Sequence, residues 1–386
     1  MADGQSSSSG SVPGASGKWS SQEFFQTQQP PQGLEQVAKA ASEFVQRQIE
    51  NGRKVVLVTS GGTTVPLERN VVRFLDNFSA GTRGATSAEY FLSAGYSVIF
   101  MSRQHSLAPY TRHYSHTTNP FLDLLVDPTT HVPSDAAAED DGDTIKVMSQ
   151  HVAHLRPILK AYHDARASGY LHKVSFVTVN EYLFLLREMS RVMQPLGRKG
   201  MYYLAAAVSD FFVPSTKVPE HKIQSGKGSL VIEMDQVPKV LKPMVQKWAP
   251  EGFIVSFKLE TDPNLLIPKA RAALERYGHQ LVIGNDLQRR KFEVVFVERK
   301  RRPRKRTTTS DSFSSVTGLE KEDYKNDDFE STWMRLEGGG DGGEGGGKGG
   351  EREIEEDIVR ELCRRHDAWI QEAEDDSSSR QVMAQN

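Results

Sequence analysis

Leu34, Val37, Ala41, Phe44 and Val45 recur at helical spacing and predict an amphipathic helix starting near Leu34. A short apolar run follows, Lys54-Val-Val-Leu-Val-Thr59, bounded by Asn51-Gly52 and Gly61-Gly62. Such a run reads as a strand buried on both faces of a parallel sheet. The alternation then repeats. A helix over Ala85–Ala94, ended by Gly95, precedes a strand over Tyr96–Met101. A helix over 146–169 precedes the strand Val174–Thr178, and an apolar helix over 180–194 precedes Met201–Ala205. Phe253–Phe257, a helix over 264–277, Leu281–Gly284 and Phe292–Val297 complete the series. This order predicts an α/β fold with a doubly wound, Rossmann-like, mostly parallel sheet.

Four stretches break the pattern. Residues 1–33 are rich in Ser, Gln, Gly and Pro and are expected to form a disordered tail. Residues 127–145 read as a surface insertion within a domain spanning 34–298. Residues 299–350 form a low-complexity insertion, with seven basic residues of eight over 299–306 and ten glycines of thirteen over 338–350. Ile354, Ile358, Val359 and Leu362 then restore a helix over 351–372 that packs back on the α/β domain, and 373–386 are expected to be a disordered tail.

Charge changes the picture by exclusion. The 386 residues carry 48 Lys and Arg against 50 Asp and Glu, which argues against a globally basic nucleic-acid binder. The basic excess is confined to 299–306, a run that reads as a solvated charge cluster or a nuclear-import signal. The single cysteine, Cys363, allows neither an intramolecular disulfide nor a cysteine zinc cluster and suits a reducing compartment. No stretch approaches the 18 or so apolar residues of a membrane span, and the polar N-terminus does not read as a secretory signal.

Candidate chemistry gathers where strands end. Thr59-Ser-Gly-Gly-Thr-Thr-Val-Pro66 follows a buried strand, and its glycines allow either a tight turn or close approach of a phosphate to backbone N–H groups. It matches neither GxGxxG nor the P-loop pattern. Arg73-Phe-Leu-Asp-Asn77-Phe-Ser-Ala-Gly-Thr-Arg-Gly84 precedes a helix whose N-terminus attracts anions. There Asn77 offers a neutral donor for a developing oxyanion or simply sits in a turn, and Arg73 and Arg83 offer charge. Small residues after Tyr203 lead to Asp210, a hydroxyl acceptor, magnesium contact or helix cap. Lys222 is a phosphate contact or a solvated side chain, Phe257 flanks a base or packs in the core, and Asn285 reads a base edge or caps a turn. The eleven histidines show no metal-ligand spacing, so no protein metal site is expected.

The stretches VVLVTSGGTTVPLE, VRFLDNFSAGTRGATSAEYFLSAGYSVIF, YYLAAAVSDFFVP, PEHKIQS, VPKVL, WAPEGFIVSFKLETD and EIEEDIVRELCRRHDAWI resemble phosphopantothenate–cysteine ligases, closest to the eukaryotic stand-alone type. The resemblance runs over about 36–298 and resumes over about 351–372. It implies a ligase of coenzyme A biosynthesis. The carboxylate of 4′-phosphopantothenate is activated by a nucleoside triphosphate as an acyl-nucleotidyl intermediate, pyrophosphate leaves, and L-cysteine is acylated on its amine. It further implies Mg²⁺ with ATP as cosubstrate, CTP being the bacterial alternative, a cytoplasmic location, and a homodimer with shared sites and no nucleic-acid or membrane partner. Lys222-Ile-Gln in place of the bacterial Lys-Ile-Lys-Lys favours the eukaryotic type. By motif, Gly61, Ser79, Gly81, Gly84, Phe257 and Asn285 would line the nucleotide site. Asn77, Ala206, Ala207 and Asp210 would hold phosphopantothenate, and Arg73 would reach into the neighbouring subunit's site. Asn77 and Lys222 would be catalytic, stabilising the acyl oxygen and the charge of the triphosphate or intermediate. The rival class is a nucleotide-dependent oxidoreductase on the same sheet, which the missing GxGxxG disfavours.

Overall fold

The structure, a computed structural model, describes residues 18–114, 120–127, 144–225, 228–300, 319–321, 328–336 and 352–384. In chain order the elements are α1 (Ser21–Thr27), α2 (Leu34–Glu50), β1 (Val55–Ser60), β2 (Thr64–Pro66), β3 (Phe74–Asp76), α3 (Thr82–Ser93), β4 (Ser97–Arg103), β5 (Leu125–Val126) and β6 (Lys146–Val147). They continue as α4 (Ser149–Ala167), β7 (Leu171–Phe176), α5 (Val179–Val192), β8 (Gly200–Leu204), β9 (Phe211–Phe212), β10 (Asp235–Gln236), α6 (Leu241–Pro243) and β11 (Phe253–Glu260). Last come α7 (Pro263–Tyr277), β12 (Leu281–Asp286), β13 (Glu293–Arg299), β14 (Leu319–Lys321), β15 (Phe329–Arg335) and α8 (Ile354–Ala384).

The main sheet runs β14-β15-β13-β12-β11-β8-β1-β4-β7. From β7 to β12 every pairing is parallel; β13, β15 and β14 add antiparallel edge strands. The six parallel strands have the doubly wound order, with the direction of winding reversing between β1 and β8. β1 is buried along its whole length, as its unbroken apolar run predicts. Its alternate side chains feed two layers. Val55 and Leu57 join Ile99, Phe44, Leu183 and Met189 on one face, while Val56 and Val58 join Val98, Phe91, Ile358 and Leu362 on the other.

Local chemistry sets the helix ends. Thr178 and Glu181 form a reciprocal capping box at α5. Asp262 accepts from the Asn264 N–H, Pro263 opens α7, and Gly278 ends it in a left-handed conformation.

Three expectations need correction. The tail expected over 1–33 is ordered from residue 18: Ser20 and Glu23 make a capping box, Phe24 is fully buried against Phe184 and Phe212, and the Trp19 indole donates to Asp235 at 2.9 Å. Two adjacent aromatics with a core to enter outweigh a polar composition. The 299–350 stretch is not uniformly low-complexity structure, because β15 pairs with β13 along seven residues and buries Phe329, Ser331, Thr332 and Met334. The tail expected over 373–386 instead continues α8 to Ala384. Residues 1–17, 128–143, 301–318 and 337–351 lie outside the described residues, including most of the basic run, the glycine tract and the body of the 127–145 insertion. The short β5–β6 pair closes that insertion at its base.

Candidate functional site

At the carboxyl ends of β1 and β8 the chain crosses over itself. The Thr63 N–H donates to the Ala207 carbonyl at 3.0 Å, and the Ala207 N–H returns to the Gly61 carbonyl at 2.8 Å. The Ala206 N–H reaches Thr59 Oγ1 at 3.1 Å, and the Ser209 N–H reaches Thr63 Oγ1 at 2.9 Å. The Asn77 N–H donates to the Thr63 carbonyl at 3.0 Å. Gly61, Asn77, Ala206 and Ala207, far apart in sequence, thus lie on one hydrogen-bonded rim at the point where the winding reverses, where open α/β sheets bind ligands.

Ser60 organises the close packing beside that rim. It is fully buried, and its hydroxyl donates to the Gly81 carbonyl at 3.0 Å. A Cβ at Gly81 would meet Ser60 Oγ at 3.0 Å, and one at Gly84 would run into the Ser60 side chain. Gly81 has φ of +85° and caps α3 without a side-chain acceptor, so the first-turn N–H groups of this twelve-residue helix keep no capping side chain. An uncapped N-terminus behind glycines is an anion site. Ser79 stands at its mouth, its hydroxyl accepting from the Gly81 N–H at 3.3 Å.

Two further residues sit towards β11 and β12. Phe257 meets Tyr203 edge to face at 4.9 Å between centroids, and Tyr203 exchanges a hydrogen bond with Ser87 of α3 at 2.9 Å. Asn285, at the end of β12, is only 6% exposed, and its Oδ1 has no hydrogen-bond partner. A buried amide oxygen left unpaired costs about 1–3 kcal/mol.

The remaining candidates stand apart. Asp210 is exposed and contributes its carbonyl to the Val237 N–H at 2.9 Å. Lys222 is exposed, in the loop after Pro219. Arg73 lies at the far end of the β2–β3 hairpin from Asn77, four extended residues or roughly 13 Å along the chain. Its Nη1 donates to Glu68 Oε1 at 2.9 Å and to the Ile223 carbonyl at 3.0 Å. Arg83 is turned away from the loop, paired with Glu355 of α8 at 3.0 Å and donating to the Arg290 carbonyl. Burial raises the Glu355 pKa, and the Arg83 charge opposes that shift. Among the described residues no group of three or more His, Cys, Asp or Glu is gathered to hold a metal ion.

Sequence reasoning missed Ser60 and Glu68. Ser60 left a signal, a hydroxyl inside a Gly-bearing strand end. Glu68 left a weaker one, an acid inside the apolar hairpin sequence VPLE.

This rim, at the strand ends where the winding reverses, belongs to a doubly wound α/β protein. The family model described as the DNA/pantothenate metabolism flavoprotein C-terminal domain matches residues 51–120 and 172–306. The phosphopantothenate–cysteine ligase CAB2 of Saccharomyces cerevisiae is 39% identical over 370 residues, covering 90% of this chain and 86% of the relative. The phosphopantothenate–cysteine ligase of Homo sapiens is 44% identical over 342 residues, covering 89% and 95%. A solved structure of a Cab2 variant in complex with phosphopantothenate-cysteine superposes with a TM-score of 0.72 at 39% identity, covering 92% of this chain and 99% of that one. The chain belongs to the phosphopantothenate–cysteine ligase family. The oxidoreductase alternative finds no support in these relatives.

Proposed function

We propose that the protein joins 4′-phosphopantothenate to L-cysteine at the expense of ATP, with CTP as the second candidate nucleotide. The observation that carries the reading is the pairing of an uncapped α3 N-terminus with the unpartnered Asn285 oxygen across one strand-end rim. The first suits a triphosphate, and the second suits the exocyclic amine that adenine and cytosine both carry.

In this reading Gly61, Ser79, Gly81 and Gly84 offer the phosphates backbone and hydroxyl donors, with Phe257 and Asn285 against the base. Ala206 and Ala207 leave room for the pantothenate chain, and Asp210 accepts from its hydroxyl. The substrate carboxylate attacks the α-phosphorus, the bond to the β-phosphate oxygen breaks, and pyrophosphate leaves. The cysteine amine then attacks the acyl carbon, nucleoside monophosphate departs, and the amine loses a proton. Neither step needs a strong base; both need alignment and neutralised charge. Asn77 donates its amide to the acyl oxygen in both steps, and Lys222 faces the phosphate charge. Mg²⁺ would come with the triphosphate, whose oxygens are the hard ligands it prefers, and it would supply charge neutralisation there.

A homodimer is part of the reading. Val71, Val72, Phe74, Leu75 and Phe78 of the hairpin are exposed, with Phe211 and Leu230-Val231-Ile232. Apolar exposure on this scale fits an interface between copies. The single cysteine favours a cytoplasmic enzyme, and no described helix is long and apolar enough to cross a membrane.

The test is pyrophosphate release from ATP that requires phosphopantothenate, with amide formed only when cysteine is added. Release independent of phosphopantothenate overturns the reading.

A further inference from the structure

We propose that Glu68 is a positioning residue that locks the peptide carrying Lys222 against the turn carrying Arg73, so setting both cations for ligation. This rests on the roles given to Lys222 and Arg73 above.

Glu68 has no exposed surface, although residues 69–72 beside it are exposed. Its Oε2 accepts from the Arg73 N–H at 3.0 Å and the Val72 N–H at 3.4 Å. Its Oε1 accepts from Arg73 Nη1 at 2.9 Å and from the Ile223 N–H at 3.3 Å. That last N–H belongs to the peptide bond joining Lys222 to Ile223. The same Arg73 Nη1 also donates to the Ile223 carbonyl at 3.0 Å. Alongside, the Arg69 N–H meets the Pro219 carbonyl at 2.9 Å and the Asn70 N–H meets the Glu220 carbonyl at 3.1 Å. A hairpin tip and a loop 150 residues away are therefore zipped together around one carboxylate.

An apolar side chain would fill this space without losing hydration, so bulk alone does not call for an acid. A carboxylate fixes direction, because its lone pairs dictate where the Ile223 N–H and the guanidinium lie. Burial pushes the Glu68 pKa up, but the N–H groups of Arg73, Ile223 and Val72 and the Arg73 charge outweigh it and hold the group below its ordinary value. The clamp is thus ionised at neutral pH.

Glu68→Gln keeps size and one acceptor oxygen but lacks the charge and the second acceptor. The experiment measures three things on the full chain: amide hydrogen exchange over 219–225, kcat and KM for phosphopantothenate, and the same constants in a Lys222→Ala background. The clamp predicts faster exchange in 219–225. It also predicts a kcat lower by about 10²-fold, the scale of a small misplacement of a reacting group, and a smaller further loss when Lys222 is already Ala, because only the share acting through Arg73 remains. A thermally weakened but otherwise normal enzyme would show an unchanged kcat well below its melting point, which overturns the proposal, as does multiplication of the two losses. If the wild-type protein makes no amide from phosphopantothenate and cysteine, the functional reading fails instead, and unchanged exchange in 219–225 then overturns the clamp by itself. Should Glu68→Gln not fold, Glu68→Asp, with a shorter carboxylate, is read by the same criteria.

Discussion

Around Ser60, Gly81 and Gly84 the chain packs so closely that a single Cβ has no place to go, and each partner comes from the same polypeptide. Around Arg73 and Lys222 the surface is open: Phe78 is 78% exposed and Val231 is 88% exposed. One region is a finished cradle made of backbone. The other is an exposed apolar and cationic surface braced from within by the hydrogen bonds of Glu68. The difference teaches that the proposed nucleotide cradle is shaped within one chain, whereas the proposed acyl-substrate side is where a second copy would matter.

The sharpest way to break this contrast is Asn77→Ala, because Asn77 stands between the two regions. Removing one amide donor to a developing oxyanion lowers kcat by about 10²–10³-fold, while nucleotide affinity in the cradle stays near normal. Near-normal turnover by the folded variant would take Asn77 out of the chemistry.

Mixing comes next. Subunits bearing Arg73→Ala and subunits bearing Asn77→Ala are each inactive alone. After equal mixing and exchange, half of the dimers are mixed and each holds one intact site, so about one quarter of wild-type activity returns. Activity that stays at background after demonstrated exchange means that Arg73 serves its own chain.

Acid tests the amino end of the sheet, opposite the cradle, where two buried histidines lie. His366 lies between the Tyr96 hydroxyl at 2.8 Å and the Arg198 carbonyl at 2.7 Å, and His279 contacts Ser256 at 2.8 Å. Burial pushes both from 6.5 down to about 4. The unfolded chain therefore takes up protons first as pH falls. The histidine contribution is flat above about pH 6.5, declines between 6.5 and 4 by about 3 kcal/mol per histidine and levels off below, where carboxylates held below their ordinary pKa, Glu68 among them, continue the loss. Thermal melts across that range check the slope, and replacing His366 with Gln removes roughly half of it. A melting curve with no change between pH 6.5 and 4 would contradict the burial argument.

The smallest effect belongs to the insertion. Halving the glycine tract over 338–350 shortens the β15–α8 connection by about a third and changes loop-closure free energy by about 0.4 kcal/mol. Removing residues 329–335 instead strips β15 from β13 and exposes Val295 and Val297, so the two deletions should differ by several-fold in stability loss.

What could be read from the sequence follows from how local the cause is. The parallel strands were legible because a strand buried on both faces must be continuously apolar, as Val55–Val58 is. β15 was not, because FESTWMR mixes polar and apolar residues and draws its stability from an edge pairing with a strand thirty residues earlier. α1 was hidden by polar flanks around Phe24 and Phe25. The glycines of the cradle were legible as a pattern, but their reason, the side chain of Ser60, is visible only in three dimensions. Glu68 was illegible as a clamp because its partner peptide lies in another loop.

The edge strands also say something about how such a chain can change over time. β15 is four strand spacings from β8, roughly 19 Å at sheet spacing, and so stands away from the crossover at the ends of β1 and β8. Added chain length there leaves the geometry of the parallel strand ends untouched. The antiparallel rim works as a selvedge, a finished border on which new material can be sewn without disturbing the weave.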